Sequence, residues 1–161
     1  MYIRKTVAAD IPAVERIYAE ARKFMKEAGN PEQWRDGSPG VAEIEADIAD
    51  GTGYVCCDGE EIVGAFYFRV GVDPTYVRIY EGEWKSEQPY GVIHRIAVAR
   101  HGGGVARFIM DECFGLSENL RIDTHRDNLP MQRCLSKNGF EYCGIIYLES
   151  GEERLAYQRV R

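Results

Sequence analysis

Three consecutive glycines, Gly102–Gly104, are the part of the sequence that most directly suggests chemistry. They follow an apolar run that ends near Ala99 and precede a helix that is predicted to begin near Gly104. The first turn of a helix has free N–H groups at the positive end of the helix dipole, and glycine has no Cβ atom that would keep a phosphate away. Positive charge lies close by, on Arg100, His101 and Arg107. The pattern predicts a cradle for a phosphate or pyrophosphate, and a tight turn without a ligand is the alternative.

Several other kinds of site are excluded as sequence motifs. The sequence contains no G-x-x-x-x-G-K-[ST], the signature of a P-loop. The glycine run lacks the third glycine of a dinucleotide-binding G-x-G-x-x-G and follows a late strand. The five cysteines include no C-x-x-C pair and the three histidines are dispersed. We therefore predict reduced thiols and no metal site.

Charge and hydropathy also restrict the function. The 161 residues include 20 Lys and Arg against 26 Asp and Glu, which gives a net charge of −6. An excess of acid argues against general binding to nucleic acid or to a membrane surface, because phosphates attract concentrated Lys and Arg. The sequence shows no signal-peptide pattern and no apolar run long enough to span a bilayer. We expect one cytoplasmic domain over residues 1–161.

The N-terminal half predicts one strand, two helices and a hairpin. Apolar residues recur at helical spacing between an N-cap at Asp10 and a C-cap at Gly29. Asp58-Gly59 between two apolar runs is a strong hairpin signal. The predicted elements are a strand at 2–7, a helix from 11 to about 28, a loop at 30–40, a helix at 41–50 and hairpin strands at 54–57 and 61–70.

The C-terminal half alternates strands and helices. The predicted elements are a strand at 90–99, a helix from the glycines to about 117, a strand at 120–124, a helix at 128–138 and strands at 140–148 and 154–160. On the strand at 90–99, Val92, His94, Ile96 and Val98 should share one face. Residues 74–89 are either an excursion or a continuation of the sheet. The fold class is therefore α/β (α+β), a mixed, partly parallel, seven-stranded sheet flanked by about four helices.

Two segments of this pattern resemble the GCN5-related N-acetyltransferase (GNAT) superfamily. Residues 94–110, HRIAVARHGGGVARFIM, resemble its fourth strand, pyrophosphate loop and third helix. The loop pattern [Q/R]-x-x-G-x-[G/A] falls on residues 101–106, where His101 replaces the usual Gln or Arg. Residues 128–140 resemble N-x-x-A-x-x-L-Y-x-K-x-G-F, and Leu135 stands in place of the tyrosine.

The resemblance implies acetyl-CoA as co-substrate and no metal. In such proteins the pantetheine arm lies between two parallel strands that splay apart, and backbone N–H groups of the loop bind the pyrophosphate. The contacts implied here are Ile96, Ala97, Val98, His101, Gly102, Gly103, Gly104, Val105, Ala106 and Asn128. For Asn128, a cap on its helix is an equal alternative to a contact with the co-substrate.

His94 is the catalytic base that the resemblance implies. Acetyl transfer to an amine requires removal of a proton and stabilisation of an oxyanion. A histidine titrates near the working pH of most enzymes, and some family members are thought to use one at this position. A structural histidine inside the sheet is the alternative. A backbone N–H of Ile96 or Ala97 would stabilise the oxyanion.

Other polar groups leave alternatives open. Three of them belong to the strand at 120–124 and its end, namely Arg121, Asp123 and His125. They could form a catalytic relay or a satisfied polar network. With Leu135 in place of the tyrosine the general acid is open, and Cys134 and Tyr147 are candidates that could equally be packed side chains. A thiolate departs with little help, so the acid is the less critical partner.

Three aromatic residues are candidate contacts for the acceptor, namely Trp34, Tyr80 and Trp84. Their loops also carry Arg35, Asp36, Glu81 and Glu83. Aromatic rings with acids suit a small cationic amine, and anchored surface loops are the alternative. We predict an acetyl-CoA-dependent N-acetyltransferase that acts on a small-molecule amine. A CoA-binding module with little catalysis and a protein or peptide N-acetyltransferase stay open, and the resemblance allows a homodimer.

Overall fold

The computed structural model describes residues 1–35 and 37–161, which form seven strands and four α-helices. The strands are β1 (Tyr2–Lys5), β2 (Gly53–Asp58), β3 (Glu61–Val70), β4 (Gly91–Val98), β5 (Asn119–Thr124), β6 (Glu141–Tyr147) and β7 (Glu153–Val160). The helices are α1 (Ile11–Glu27), α2 (Val41–Asp50), α3 (Val105–Leu116) and α4 (Leu129–Lys137). This order confirms the predicted alternation of elements. None of the helices in the described ranges has the length and apolar character needed to cross a membrane.

All seven strands belong to one sheet, in the order β1-β2-β3-β4-β5-β7-β6. Only β4 and β5 pair in parallel, and the other neighbours are antiparallel. The predicted mixed, partly parallel sheet is therefore confirmed. The single parallel pair arises because α3 connects β4 to β5, and a parallel neighbour needs such a crossover.

The helices cover the two faces of the sheet in pairs. On one face, α1 and α2 bury Val14, Ile17 and Ile44 against residues of β2, β3 and β4. On the other face, α3 and α4 pack against the sheet through buried residues such as Ile109 and Leu135. We call these the α1 face and the α3 face. The buried side of α3 repeats at helical spacing, which is why this segment is an amphipathic helix.

Residues 71–90 form an irregular excursion that covers the rest of the α1 face. This described segment contains one 3-10 turn, Pro74–Tyr76, and no strand; its pairing with the sheet is one isolated bridge, between Tyr80 and Ile145 of β6. Arg121, which is 2% exposed, extends from β5 between the rings of Trp84 and Tyr90, with its guanidinium carbon 4.0 Å from each ring centroid. Its Nη2 donates a hydrogen bond to the carbonyl of Ser86 at 2.8 Å. Gln158 accepts from the same segment, so β5 and β7 both anchor the excursion.

Candidate active site

The glycine turn lies between β4 and α3, as predicted, and opens to solvent. Gly102 and Gly104 have φ of +78° and +76°, a region that glycine adopts without strain. Gly104 is the N-cap of α3, and within the described residues no side chain caps this helix and no acid lies in its first turn. A Cβ atom built on Gly102 or Gly104 would meet nothing within 4 Å. The first N–H groups of α3 are therefore free to bind an anion.

A groove of about 990 Å³ runs from this turn between α3 and α4. All the charged side chains among its described lining residues are basic or histidine, namely Arg100, His101, Arg107, Arg133 and Lys137. Arg100 is paired with Asp58 at 2.9 Å, and Arg107 lies 3.6 Å from Asp111. The groove is thus locally basic although the chain carries a net charge of −6. Such a groove attracts a polyanion.

A narrow passage of about 120 Å³ continues the groove into the sheet. It shares Val98 and Cys134 with the groove and Ile96 and Met131 with a deeper pocket. The passage exists because β4 and β5 are in register only over two residue pairs at their N-terminal ends and then diverge. Beyond that point, no strand in the described part of the chain is in register with the edge of β4 that faces β5. The groove on the α3 face is thereby connected to a pocket on the α1 face.

A β-bulge in β4 changes the predicted arrangement of this strand. Two residues, Arg95 and Ile96, lie opposite the single residue Phe66 of β3, and Arg95 has a φ of +49°. The extra residue reverses the alternation of side chains. Ile96 packs in the core of the α3 face, whereas His94 lies on the α1 face. The prediction that His94 shares a face with Ile96 and Val98 is therefore wrong, because the bulge interrupts the two-residue alternation of side chains along the strand.

The side chain of Arg95 fixes the bulge to the α1 face. Its Nη2 lies 2.6 Å from both carboxylate oxygens of Asp47, on α2. Its guanidinium carbon lies 5.2 Å from the centroid of the Tyr67 ring. The bulge is thus stabilised by an ion pair and a ring contact, so the reversal is a built feature of the strand.

His94 lines the deeper pocket and lies between two carboxylates. Its Nε2 is 2.7 Å from Asp73 Oδ2, and its Nδ1 is 3.8 Å from Asp123 Oδ2. Burial would raise the pKa of Asp73, but hydrogen bonds from His94 and from the amide and hydroxyl of Thr75 lower it to about 2. Asp123 accepts a hydrogen bond from the Tyr76 hydroxyl at 2.6 Å. Burial, followed by the Asp123 charge, raises the pKa of Tyr76, so the phenol stays protonated.

This network defines which nitrogen of His94 can act as a base. Asp73 is ionised at neutral pH and can only accept, so the neutral imidazole carries its proton on Nε2. The lone pair of Nδ1 is then free, because 3.8 Å to Asp123 is too long for a hydrogen bond. An imidazolium formed at this position would be stabilised by a carboxylate on each side. The arrangement is that of a general base with an orienting acid.

The pocket around His94 has a volume of about 320 Å³, at the lower end of the range of small-molecule sites. Besides the network, its lining includes Gln33, Trp34, Arg95, Leu148 and Arg154. The Trp34 ring meets Tyr18 edge-on at 5.6 Å, which fixes this wall. Of the predicted acceptor residues, Trp34 is therefore placed at the pocket.

The other predicted acceptor residues lie elsewhere. Trp84 is 7% exposed and donates to the carbonyl of Tyr76 at 2.9 Å, so it is an anchor of the excursion rather than a pocket wall. Tyr80 is exposed and stacks edge-on against Tyr147, with ring centroids 5.2 Å apart. Neither Tyr80 nor Tyr147 is among the described residues that line the pocket. The predicted residue Asp36 lies outside the described residues.

The predicted co-substrate residues take three kinds of position. Glycines 102 and 104, Val105 and Ala106 line the groove. The ring of His101 stacks on Phe24 of α1 at 4.1 Å between centroids, beside the passage. Asn128 Oδ1 accepts from the amide of Met131 at 3.1 Å and caps α4, while its Nδ2 donates to Gln33. Asn128 is thus a cap, and it also lies in the wall of the pocket.

Leu135 and Cys134 occupy the region where the family's tyrosine would stand. Leu135 is fully buried in the core of the α3 face and has no proton to donate. Cys134 lines both the groove and the passage, and burial raises its thiol pKa. Asp123 joins His94, whereas Nδ1 of His125 accepts from the amide of Asp127. Of the two alternatives for Asp123 and His125, the catalytic relay between them is therefore not formed.

Two residues of the pocket were missed by sequence reasoning. Asp73 precedes Pro74 and Thr75, a combination that indicates the start of a turn. That signal does not say that the turn folds back over His94. Arg154 begins a strand in a charged run, where exposure is the usual expectation, and only the tertiary packing buries it. Within the described residues, no group of three or more His, Cys, Asp or Glu side chains is arranged to hold a metal ion.

Comparison with known proteins gives structural matches. No protein-family model matches the sequence, and no curated protein matches it. The chain is similar to the crystal structure of a GNAT-family acetyltransferase from Streptococcus agalactiae 2603, with 31% identity, a TM-score of 0.90 and coverage of 99% of this chain and 95% of that chain. A GNAT-family acetyltransferase from Listeria monocytogenes 4b F2365 shares 20% identity, with a TM-score of 0.67 and coverage of 98% and 93%. A ribosomal-protein-alanine N-acetyltransferase from Brucella melitensis shares 20% identity, with a TM-score of 0.62 and full coverage of both chains, 100% and 100%. The last two likenesses concern the fold alone.

Proposed function

Because the chain belongs to the GNAT family of acetyltransferases, we propose that it transfers an acetyl group from acetyl-CoA to the amine of a small molecule. The observation that carries the proposal is the continuous path from a basic groove, through the gap between β4 and β5, to a pocket that contains His94. A polyanionic nucleotide with a thin thioester arm and a reactive tip has the shape and charge that this path suits.

The described residues fit such a co-substrate along its whole length. The glycine turn and the free N–H groups of α3 would bind its pyrophosphate. Arg133 and Lys137, both exposed on the groove, would meet its outer phosphate. The passage, lined by Ile96, Val98 and Ala106, is apolar and narrow, as a pantetheine arm requires. When bound, acetyl-CoA supplies an acetyl group that is activated as a thioester.

His94 would remove the proton that the acceptor must lose. The acceptor ammonium would bind between Nδ1 of His94 and the carboxylate of Asp123, and His94 would take one proton. The amine nitrogen then forms a bond to the thioester carbonyl carbon, and the carbon–sulfur bond breaks. Asp73 orients the imidazole and stabilises the imidazolium, as the carboxylate of a catalytic triad does. The nitrogen loses its second proton to solvent as the amide forms. With Leu135 at the usual acid position, the thiolate would leave unprotonated and take up a proton from solvent afterwards.

The pocket favours a small acceptor over a protein. Its volume of about 320 Å³ equals that of roughly ten water molecules, at about 30 Å³ each. The excursion closes one side of it through Asp73 and Thr75, and Trp34 closes another. A CoA-binding module without catalysis would have no use for a histidine between two ordered carboxylates.

The test is an amine screen with acetyl-CoA that measures release of the free thiol. Removal of a general base costs roughly 10²- to 10⁴-fold in rate, so His94→Ala should lose that much in kcat/KM. Acetyl-CoA binding, measured by calorimetry, should persist in this variant. His125→Ala is the matched control, since His125 is outside the described lining of the pocket, and it should retain activity. Full turnover by His94→Ala, or no binding of acetyl-CoA by the unmodified protein, would refute the proposal.

A further inference from the structure

The pocket contains a buried cation that the proposed reaction does not use. Arg154, at the start of β7, has a side chain that is 6% exposed and is one of the residues that line the pocket. Its Nη1 donates to the carbonyl of Glu153 at 2.9 Å. Burying a guanidinium is costly unless an anion compensates its charge.

Among residues 1–35 and 37–161, this charge is compensated only weakly. Both Nη atoms of Arg154 lie 3.4 Å from the same oxygen of Glu152, at the long end of hydrogen-bond distances. The Glu152 side chain is 38% exposed, and its other oxygen lies 3.4 Å from Arg35. One solvated carboxylate is thus shared between two guanidinium groups. An additional anion in the pocket would complete the pairing of Arg154.

The carboxylate of Asp123, of opposite charge, faces Arg154 across the same pocket. Asp123 is paired with Ala156 in the β5–β7 register, so Arg154 is its diagonal neighbour on the α1 face, roughly 7–8 Å away along the sheet. Asp123 is engaged by Tyr76 at 2.6 Å and faces His94. The pocket therefore presents a negative end at Asp123 and a positive end at Arg154, separated by about the length of a small molecule.

We propose that the acceptor is a free amino acid, with its ammonium group at Asp123 and His94 and its carboxylate on Arg154. This inference rests on the proposed function and specifies its substrate class. The planar fork of a guanidinium suits a carboxylate, which it can bind through two parallel hydrogen bonds. An α-amino acid carries both charges on one carbon, so the two ends of the pocket can be satisfied together. Trp34 and Leu148 leave an apolar wall for the side chain of the acceptor.

A simple amine fits the pocket less well than a zwitterion does. A diamine or polyamine would bring a second positive charge toward Arg154 and Arg95, and like charges at short range repel. Arg95 is already neutralised by Asp47, so it does not compete for the carboxylate.

The experiment compares matched acceptors in the thiol-release assay with acetyl-CoA. The probes are free leucine, methionine and phenylalanine, their methyl esters and the amines obtained by removing their carboxylates. At least one amino acid should be acetylated with a kcat/KM about 10- to 100-fold above those of its ester and its amine, which is the range for a lost charged hydrogen bond.

Variants separate the carboxylate contact from the reaction itself. Arg154→Met should raise the KM for the amino acid about 10- to 100-fold relative to the KM for the amine, and it should leave acetyl-CoA affinity unchanged. Arg126→Met, which removes an exposed cation that pairs with Glu153, is the control and should behave as the unmodified protein. Glu152→Gln, which frees Arg154 of its competitor, should lower the KM for the amino acid and covers the case in which Arg154→Met does not fold.

The outcomes distinguish a wrong acceptor class from a wrong proposed activity. Equal turnover of amino acids, esters and amines would overturn the amino-acid proposal and leave the acetyltransferase intact. The same holds if amines are acetylated and no amino acid is. Failure of the protein to bind acetyl-CoA, or to release thiol with any acceptor, would instead overturn the proposed function.

Discussion

Replacement of Asp73 by asparagine tests the network around His94 through protein stability. The pKa of Asp73 is lowered from 3.8 to about 2 by hydrogen bonds from His94 and Thr75, which outweigh the effect of burial. One pKa unit corresponds to about 1.4 kcal/mol, so the native surroundings favour the ionised carboxylate by roughly 2 kcal/mol. The Asp73 side chain is 16% exposed, so solvent screening reduces this figure little. Asparagine keeps the shape of the carboxyl group and removes its charge.

The direction of the pH dependence follows from the sign of the shift. A carboxylate whose pKa is lower in the folded state stabilises the protein at pH values above the unfolded pKa. That stabilisation is lost as the pH falls through the interval from 3.8 to about 2. Asp73→Asn should therefore be about 2 kcal/mol less stable than the unmodified protein at pH 7. The two proteins should converge as the pH approaches 2, where Asp73 of the unmodified protein becomes protonated.

Urea unfolding at a series of pH values between 7 and 2 measures this difference. Asp50→Asn, an exposed carboxylate at the end of α2, is the control, and its difference from the unmodified protein should stay small at every pH. An Asp73→Asn protein as stable as the unmodified one at neutral pH would contradict the reasoning. A difference that persists undiminished in acid would do the same, because it would then not arise from the charge.

Three further predictions concern the groove and the sheet. Gly104→Ala should lower the free energy of unfolding by roughly 1–2 kcal/mol because φ there is +76°, whereas Gly115→Ala, in open space within α3, should raise it by up to about 1 kcal/mol. Chemical denaturation measures both variants, and a loss of stability in Gly115→Ala would contradict this expectation. Alkylation by N-ethylmaleimide, mapped by mass spectrometry, should be slow at Cys134 and slower still with acetyl-CoA present. Cys113, whose pKa burial raises to about 12, should stay unmodified in the folded protein. Labelling of Cys134 that acetyl-CoA does not change would argue against the path from the groove to the pocket. Arg121→Met should destabilise the protein by roughly 2–4 kcal/mol, since it removes a buried cation from between two rings together with its hydrogen bonds to the carbonyls of Tyr76 and Ser86. A loss below about 1 kcal/mol in urea unfolding would be inconsistent with its anchoring role.

The elements and the glycine turn were accessible from sequence because they depend on local signals. Helical spacing, Asp58-Gly59 and the cap at Asn128 each act within a few residues of chain. The order of strands and helices then restricts the topology, since β4 and β5 need the crossover that α3 provides. The position of Gly102–Gly104 at the start of a helix follows from the same local rules.

The arrangement of the pocket was not accessible in this way because it depends on contacts between distant segments. The bulge at Arg95 is stabilised by an ion pair with Asp47, 48 residues away in sequence, and no local pattern in β4 indicates it. Trp84 is an aromatic residue in a polar loop, which suggests exposure, yet Arg121 from β5 provides the partner that buries it. Asp73 reaches His94 only because the excursion folds over the α1 face.

The opening between β4 and β5 passes through the sheet, and this has a consequence for the order of events. The nucleotide would enter from the α3 face, whereas the acceptor pocket lies on the α1 face. Two substrates that arrive from opposite sides do not obstruct one another, so either can bind first. The acetylated product and the spent thiol can likewise depart by separate exits. We therefore expect intersecting rather than parallel lines in two-substrate initial-rate plots. We also expect each product to inhibit competitively only against the substrate that binds on the same side of the sheet.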